Sequence, residues 1–317
     1  MRASMILMTY NHEAFVAEAV RGALEQQCDP IDILISDDAS LDQTFEITRL
    51  IVADYRGPHR VRLNRNVHNL GIAAHLNRCM ELTDSEIVVV AAGDDISLPQ
   101  RVSRVLETFS ATNALLVHSR VREIGRHGED VEGPFPHDGA LFLRSTSAVA
   151  AAKSMALYIG ATGAWRREVF DRYGILRFPD LYEDLVVGFR AALEERVAFV
   201  DEALVKYRVG SGVSSIPQQA MTMNDWRVTR LKTLKRDRAV LEQRTLDART
   251  RDAAAVGSVL DVLAAAIMIT DLRIQSYDQP KTTFLLKNTG RLHLALKALI
   301  SERKRARRAM RTHQWTV

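Results

Sequence analysis

This sequence has little cysteine and lacks the usual glycine-rich nucleotide motifs, and each shortage excludes a class of protein. Two cysteines, Cys28 and Cys79, are too few for a disulfide framework, so we expect a reducing compartment. No GxGxxG or GxxxxGK[ST] segment is present, which removes the main support for a dinucleotide-binding or P-loop protein. No histidine pair has the spacing of a zinc site.

Long apolar runs are also missing. The N-terminal apolar stretch is too short for a secretory signal, and Asp261 interrupts the longest run, 256–269. A membrane span needs about 20 apolar residues, so we expect no transmembrane helix.

The composition that is present is that of a soluble globular protein. Hydrophobic residues make up 47% and charged residues 26% of the 317 residues, enough for a sizeable core. The net charge of +4 has a local origin, because six basic residues lie within 301–311. That cluster could bind anionic lipid or nucleic acid, or form a solvated terminal helix. No nucleic-acid recognition motif accompanies it, so nucleic acid is not an expected partner.

Strand and helix patterns alternate in the first two thirds of the chain. Short apolar runs at 3–8, 31–35, 61–63 and 86–91 predict strands, and amphipathic segments between them predict helices. This alternation favours a mostly parallel sheet with helices on both faces. Residues 122–140 are typical of a long loop, whereas 197–200 and 204–207 predict two further strands. From about residue 218 onward only helical patterns remain, which indicates a domain at 1–215 and a helical region at 216–317.

Three of the predicted strands end in polar or acidic residues. These clusters are Thr9-Tyr10-Asn11, Asp37-Asp38 and Asp94-Asp95. Ligands of open α/β sheets bind beyond the carboxyl ends of the strands, so we expect the three clusters to meet at one crevice.

Each acidic cluster has a chemical interpretation and a structural alternative. Asp94 and Asp95 offer the oxygen ligands that Mg²⁺ and Mn²⁺ prefer, or they form a turn that caps the helix after Pro99. Asp37-Asp38 could accept hydrogen bonds from a base or ribose, or bond the local turn. Glu183-Asp184 could supply a general base, or complement the dipole of the helix that they begin.

Five segments, in this order, resemble the family 2 glycosyltransferases. Residues 5–12 resemble the first strand and its "TYN" end, and residues 33–44 are similar to the "VDDGSTDxT" segment. Residues 66–71 resemble the "N.G" turn, and residues 93–99 resemble the "DADDxxxP" element. Residues 182–184 resemble the "ED" motif. The resemblance covers about residues 3–215.

The resemblance implies a fold and a set of site residues. The fold is the GT-A nucleotide-diphospho-sugar transferase fold, a Rossmann-like, mostly parallel α/β sheet, here with an α-helical C-terminal extension. Asp184 is the implied general base, and Asp94 and Asp95 are the implied ligands of Mn²⁺ or Mg²⁺. The implied substrate-binding residues are Thr9, Tyr10, Glu13, Asp38, Asn69, Gly71, Asp94, Trp165 and Glu183.

Two positions depart from the family pattern. Ala92 stands where the family often has the first aspartate of its D-x-D motif, and Gly210 stands where a "YRxH" histidine often lies near the metal. The resemblance therefore implies a metal that is bound more weakly or is held by fewer protein ligands, and it leaves the general base in place.

We predict an inverting glycosyltransferase of the hexosyltransferase type. Its donor would be a UDP- or dTDP-sugar, and its acceptor a saccharide or lipid-linked molecule of cell-surface polysaccharide biosynthesis. The alternatives are a nucleotidyltransferase and a non-catalytic nucleotide-sugar-binding protein derived from such an enzyme. We expect a cytoplasmic protein whose C-terminal helices form a homo-oligomer, bind a partner subunit or contact the inner membrane face through their basic end.

Overall fold

The protein is described by a computed structural model that covers residues 1–131, 142, 145–179, 181–210 and 222–312. The chain divides into two compact units, Met1–Ser215 and Ile216–Val317. Residues 132–140 of the loop predicted at 122–140 lie outside the described residues.

The first unit is built on one eight-stranded sheet in the order β3-β2-β1-β4-β7-β6-β8-β5. Strands β3, β2, β1 and β4 are mutually parallel, as are β6 and β8, whereas the pairs that involve β7 and β5 are antiparallel. The mostly parallel α/β sheet predicted from the sequence is thereby confirmed. The strands are β1 Ala3–Thr9, β2 Asp32–Asp37, β3 Arg60–Arg65, β4 Ile87–Ala92, β5 Ile96–Ser97, β6 Leu116–Ile124, β7 Ala164–Arg166 and β8 Val197–Arg208.

Helices cover the sheet because their apolar residues recur at helical spacing. In the first helix, Val16, Ala19, Val20 and Ala23 are all buried against the apolar residues of β1, β2 and β4. The helices of this unit are α1 Val16–Leu24, α2 Thr44–Ala53, α3 Ile72–Glu81, α4 Arg101–Ala111, α5 Ala148–Lys153, α6 Glu168–Tyr173 and α7 Glu183–Leu193.

Two sequence predictions about the second half of the sheet were wrong. Arg122, Glu123 and Ile124 continue β6 and are not part of a loop, and β8 is one strand where two were predicted. The two strands pair in parallel over nine residues of β6, with register shifts around Arg120. Inter-strand hydrogen bonding over this length outweighs the charge-rich local composition.

The second unit is helical, as predicted. Its helices are α8 Met223–Ala248, α9 Ala253–Asp278, α10 Lys281–Lys287 and α11 Leu292–Thr312. Leu272, Phe284, Ala295 and Ala298 form a small apolar core between the last three. Glu302 of α11 is 4% exposed and accepts hydrogen bonds from both arms of the Arg230 guanidinium, at 2.8 and 3.0 Å.

One helix meets the length and composition of a membrane span, contrary to the sequence expectation. Residues Ala254–Asp278 have a mean hydropathy of 1.8 over their most apolar window, because Asp261 is outweighed by its apolar neighbours. Only 28% of that window is buried. Core helices of soluble proteins meet the same criterion.

We predict that two glycine-to-alanine substitutions change stability with opposite signs. A Cβ on Gly22 of α1 would lie 2.9 Å from the carbonyl oxygen of Ser97, whereas a Cβ on Gly257 of α9 would meet nothing within 4 Å. Gly22→Ala should therefore lose about 1–2 kcal/mol of unfolding free energy, because the clash exceeds the gain in helix propensity. Gly257→Ala should gain about 0.5–1 kcal/mol. Urea unfolding followed by circular dichroism measures both, and a stabilised Gly22→Ala protein would contradict the packing.

Candidate active site

The carboxyl ends of β1, β2 and β4 lie side by side. Thr9 ends β1, pairs in register with Asp37 of β2, and donates from Oγ1 to the Asp37 carboxylate at 3.1 Å. The backbone N–H of Gly93, just past β4, donates to the carbonyl of Met8 at 2.9 Å. The polar clusters that follow the three strands therefore occupy one edge of the sheet, because parallel strands end on the same side.

Asp37 and Asp38 have different roles although they are adjacent. Asp37 accepts hydrogen bonds from the Ser40 backbone N–H, at 2.9 Å, and from the Ser40 hydroxyl, which is the local turn bonding expected of an Asp-x-x-Ser segment. Asp38 instead accepts from more distant residues: from Asn66 Nδ2 at 2.8 Å and from the N–H groups of Leu70 and Gly71 at 2.9 and 3.0 Å.

Asp38 thereby joins the predicted residues Asn69 and Gly71 to the end of β2. Asn69 Oδ1 also accepts from the Gly71 N–H at 3.0 Å, which closes a tight turn before α3. Gly71 has a φ of +78°, a conformation that a side chain would strain. Asp38 is 3% exposed, and its carboxylate stabilises this turn by accepting the Leu70 and Gly71 N–H groups.

Tyr10 and Glu13 lie on the loop between β1 and α1. Tyr10 is 40% exposed, and Glu13 accepts from the Gln43 N–H at 3.0 Å while its own N–H donates to Asp42 at 3.1 Å. This loop is therefore bound to the segment that precedes α2, next to Asp38.

Asp94 and Asp95 form a buried acidic pair beyond β4. Their side chains are 6% and 4% exposed, and Asp95 Oδ1 accepts the backbone N–H of Arg208 at 2.8 Å. Burial and the charge of Asp94 hold the pKa of Asp95 well above its ordinary value. The completely buried Arg101 lies near enough for its charge to oppose this shift, while burial lowers its own pKa to about 10.

Arg208 connects this acidic turn to three other parts of the unit. Its guanidinium donates to the carbonyl of Asp94 at 3.0 Å and to the carbonyls of Gly125 and Arg126 at 2.8 Å. It also forms a 2.5 Å ion pair with Glu18 of α1. With 1% of its surface exposed, Arg208 acts as a buried connector between β8, the turn after β6, the acidic turn and α1.

Glu183 and Asp184 begin α7, where the sequence placed them. Both are partly buried, and Gly160 gives them room, since a Cβ there would lie 2.9 Å from Glu183 Oε1 and 3.3 Å from the Asp184 Cβ. Burial and the neighbouring charge of Asp184 raise the pKa of Glu183 to about 8. The two carboxyl groups therefore lie close enough for the charge of one to act on the other.

Tyr207 shows that the acidic groups share one neighbourhood. Burial raises the pKa of its phenol, and so do the negative charges of Asp95, Asp94, Asp184 and Glu123. The acids after β4 and Asp184 of α7, about 90 residues apart in the chain, thus act on the same hydroxyl group.

Trp165 is placed differently from the sequence prediction. It lies in β7 between β4 and β6, is 1% exposed, and packs its ring 6.1 Å from that of Phe170. A side chain with so little exposed surface has no face for a sugar, so we assign it to the core.

Glu123 and Tyr207 are the residues that sequence reasoning missed. Glu123 is 5% exposed, and neither of its carboxylate oxygens has a hydrogen-bond partner within the described part of the chain. It is the register partner of Tyr207 on β8. Its charge-rich surroundings predicted a loop, and the pairing of β6 with β8 brings Glu123 beside Tyr207.

The acidic pair fits a hard divalent cation such as the fold family commonly binds. The two buried carboxylates repel each other, and a bound cation would relieve this repulsion. Their oxygen atoms are the ligands that Mg²⁺ and Mn²⁺ prefer. Among residues 1–131, 142, 145–179, 181–210 and 222–312, no group of three or more His, Cys, Asp or Glu side chains could hold a metal. Asp94 and Asp95 would therefore be the protein ligands, with water and phosphate oxygens in the remaining positions.

The fold and the strand-end acids define an α/β enzyme of the GT-A type. Residues 4–174, more than half of the chain, match the family model for glycosyl transferase family 2, and the chain belongs to that family. The predicted family is thereby confirmed. EpsE of Bacillus subtilis strain 168 is 32% identical over 103 residues, which are 32% of this chain and 36% of EpsE.

Solved structures share the fold at low sequence identity. S. aureus TarS 1–349 matches with a TM-score of 0.63 at 15% identity, over all of this chain and 93% of that one. Its complex with UDP-GlcNAc matches with a TM-score of 0.56 over 96% and 92% of the two chains, also at 15% identity. The mannosyltransferase PcManGT from Pyrobaculum calidifontis, in complex with GDP-Man and Mn²⁺, matches with a TM-score of 0.54 at 16% identity, over 99% and 84%.

We predict that Glu183→Gln changes how stability depends on pH. The pKa of Glu183 is raised from its ordinary 4.5 to about 8, so the folded state keeps a proton that the unfolded state releases between these values. The stability contribution of this group must therefore fall as pH rises from about 4.5 to about 8. A glutamine does not titrate, so the variant should gain stability relative to the parent as pH rises through this range. Melting temperatures measured from pH 5 to about pH 9 test this, and parallel curves for the two proteins would contradict it.

Proposed function

We propose that this protein transfers a sugar from a nucleotide-diphosphate donor to a hydroxyl group of a saccharide or lipid-linked acceptor, with inversion. UDP- and dTDP-hexoses are the proposed donors, and cell-surface polysaccharide synthesis in the cytoplasm is the proposed setting. The observation that carries the proposal is the shared neighbourhood of Asp94, Asp95 and Asp184 around Tyr207. It provides carboxylates for a charged diphosphate site and a base within one region.

Asp184 is the proposed general base. The acceptor oxygen attacks the anomeric carbon, the bond from that carbon to the diphosphate oxygen breaks, and the nucleoside diphosphate leaves with the electron pair. The proton of the acceptor hydroxyl passes to the Asp184 carboxylate. The position of Asp184 supports this assignment, because it begins α7 and its charge acts on the same Tyr207 phenol as the charges of Asp94 and Asp95.

The acidic pair has a second role in the proposal. A divalent cation bound there would stabilise the negative charge of the departing diphosphate as a Lewis acid. Arg208 positions the pair, since it binds both the Asp94 carbonyl and, through its own N–H, the Asp95 carboxylate. Asp38 would hold the Asn69–Gly71 turn beside the nucleoside, together with Thr9, Tyr10 and Glu13.

Sequence features distinguish the proposed sugar transfer from the two alternative functions. A nucleotidyltransferase would carry a glycine-rich, basic loop after its first strand, whereas here Thr9 is followed by Tyr-Asn-His-Glu. A non-catalytic sugar-nucleotide-binding protein is favoured only by Ala92 and Gly210, and neither position affects Asp184.

We expect Asp184→Asn to lower the rate of sugar transfer about 10²-fold or more while donor affinity stays unchanged, because only the proton acceptor is lost. Asp171→Asn, an exposed residue of α6, is the matched control and should keep full activity. Single-turnover transfer and donor calorimetry measure the two quantities. Equal turnover in Asp184→Asn and the parent would remove Asp184 from the mechanism.

We expect the double substitution Asp94→Asn, Asp95→Asn to abolish the metal-dependent part of nucleotide binding. Asparagine keeps the shape of the side chain and a carbonyl acceptor for the Arg208 N–H, but it removes the negative charge that a divalent cation requires. Calorimetric titration of UDP with and without Mn²⁺ gives the readout, independently of activity. If Mn²⁺ increases UDP affinity equally in variant and parent, the metal assignment is wrong.

A further inference from the structure

Helix α11 packs on one side only. Four residues that recur every three or four positions are buried: Ala295, Ala298, Glu302 and Ala306. Of these, Ala295 and Ala298 pack with Leu272 and Phe284. This side accounts for the attachment of α11 to its unit. The remaining side of the helix is available for another partner.

The N-terminal half of that remaining side exposes large apolar residues. Leu292, Leu296 and Ile300 follow one another at intervals of four residues and are 44%, 41% and 54% exposed. Residues at this spacing form one row on a helix. Aliphatic side chains in a continuous exposed row are typical of a surface that another apolar phase covers.

The same side continues into a group of cations. Arg303 and Arg307 prolong the row of Leu292, Leu296 and Ile300, and Lys297 and Lys304 lie beside it, all four with exposed side chains. Glu302 is the only acidic residue of Leu292–Thr312. It is buried on the opposite side and bound to Arg230, so it does not neutralise the exposed cations.

We propose that this side of α11 binds the surface of an anionic lipid bilayer. Leu292, Leu296 and Ile300 would enter the region just below the headgroups, and Arg303, Arg307 and the two lysines would bind lipid phosphates. A helix with an apolar row and adjacent basic residues, lying in the plane of the membrane, combines the two attractions that such binding requires. The anionic cytoplasmic leaflet attracts basic segments of this kind. The inference does not depend on the proposed sugar transfer.

The charge and the apolar row of α11 favour an anionic bilayer over a second copy of the chain or a nucleic acid. In a two-fold dimer through this side, no exposed acid of the second α11 would pair with the cations, whether the two helices were parallel or antiparallel. A nucleic acid would bind the cations but would leave Leu292, Leu296 and Ile300 in water. An anionic bilayer complements both halves of the row.

The test is co-sedimentation of the full chain with vesicles of phosphatidylcholine alone or with phosphatidylglycerol added. We expect binding to the anionic vesicles only, and release at about 1 M salt, where the Debye length falls to about 3 Å. Arg303→Ser with Arg307→Ser, and separately Leu296→Ser with Ile300→Ser, should each weaken binding about tenfold or more. The matched control is Lys232→Ser with Lys235→Ser, which removes two exposed charges from α8 and should bind like the parent. Circular dichroism confirms that each variant is folded.

Three results would overturn the proposal. Equal binding to neutral vesicles, or equal losses in the α8 control and the α11 variants, would show that the named residues are not responsible. Protein that stays with the vesicles in alkaline carbonate would indicate a spanning helix, for which Ala254–Asp278 has the length. A concentration-dependent dimer by light scattering that disappears in the Leu296, Ile300 variant, without vesicle binding, would make a second copy the partner.

Discussion

The buried guanidinium of Arg208 is the interaction on which the acidic site depends. Four hydrogen bonds and ion-pair contacts leave from it, to the Asp94 carbonyl, the Gly125 and Arg126 carbonyls and Glu18. Arg208 is 1% exposed, and a movement that removed these acceptors would leave a buried charge without partners, so they tie the acidic turn to the end of β8. This constraint holds the turn that carries Asp94 and Asp95 in place despite the mutual repulsion of the two carboxylates.

The charges around the pairs Asp94-Asp95 and Glu183-Asp184 differ, and this difference suits the two pairs to different chemical roles. At the acidic turn, buried positive charges from Arg101 and Arg208 lower the pKa of Asp95, although burial and Asp94 still raise it. At the start of α7, burial and the charge of Asp184 raise the pKa of Glu183. The first pair thus suits a cation, and the second places the proposed base, Asp184, beside a carboxyl group whose pKa is raised. Ala92 and Gly210 leave both arrangements intact.

Much of this arrangement could be predicted from the sequence, because it depends on local patterns. Buried valines before Asp94 and the Ser36-Asp37-Asp38 turn identify strands that end in acids, and parallel strands must then bring those ends together. The prediction failed where partners lie far apart in the chain. Nothing near Glu123 reveals that it pairs with Tyr207, and nothing near Trp165 reveals that its strand lies between β4 and β6. The bonding of Asp38 to the Asn69–Gly71 turn, across about 30 residues, was equally invisible in the local sequence.

The central claim is that these carboxylates surround one nucleotide-sugar diphosphate. It is tested most directly by incubating the protein with UDP- and dTDP-sugars and Mn²⁺ and identifying the released nucleotide by chromatography. The account predicts slow release of the nucleoside diphosphate in the absence of acceptor, accelerated when a suitable saccharide is added. Conversion of a nucleotide sugar and added pyrophosphate to a nucleoside triphosphate and a sugar 1-phosphate, or nucleotide sugars that remain intact with every acceptor tested, would contradict it.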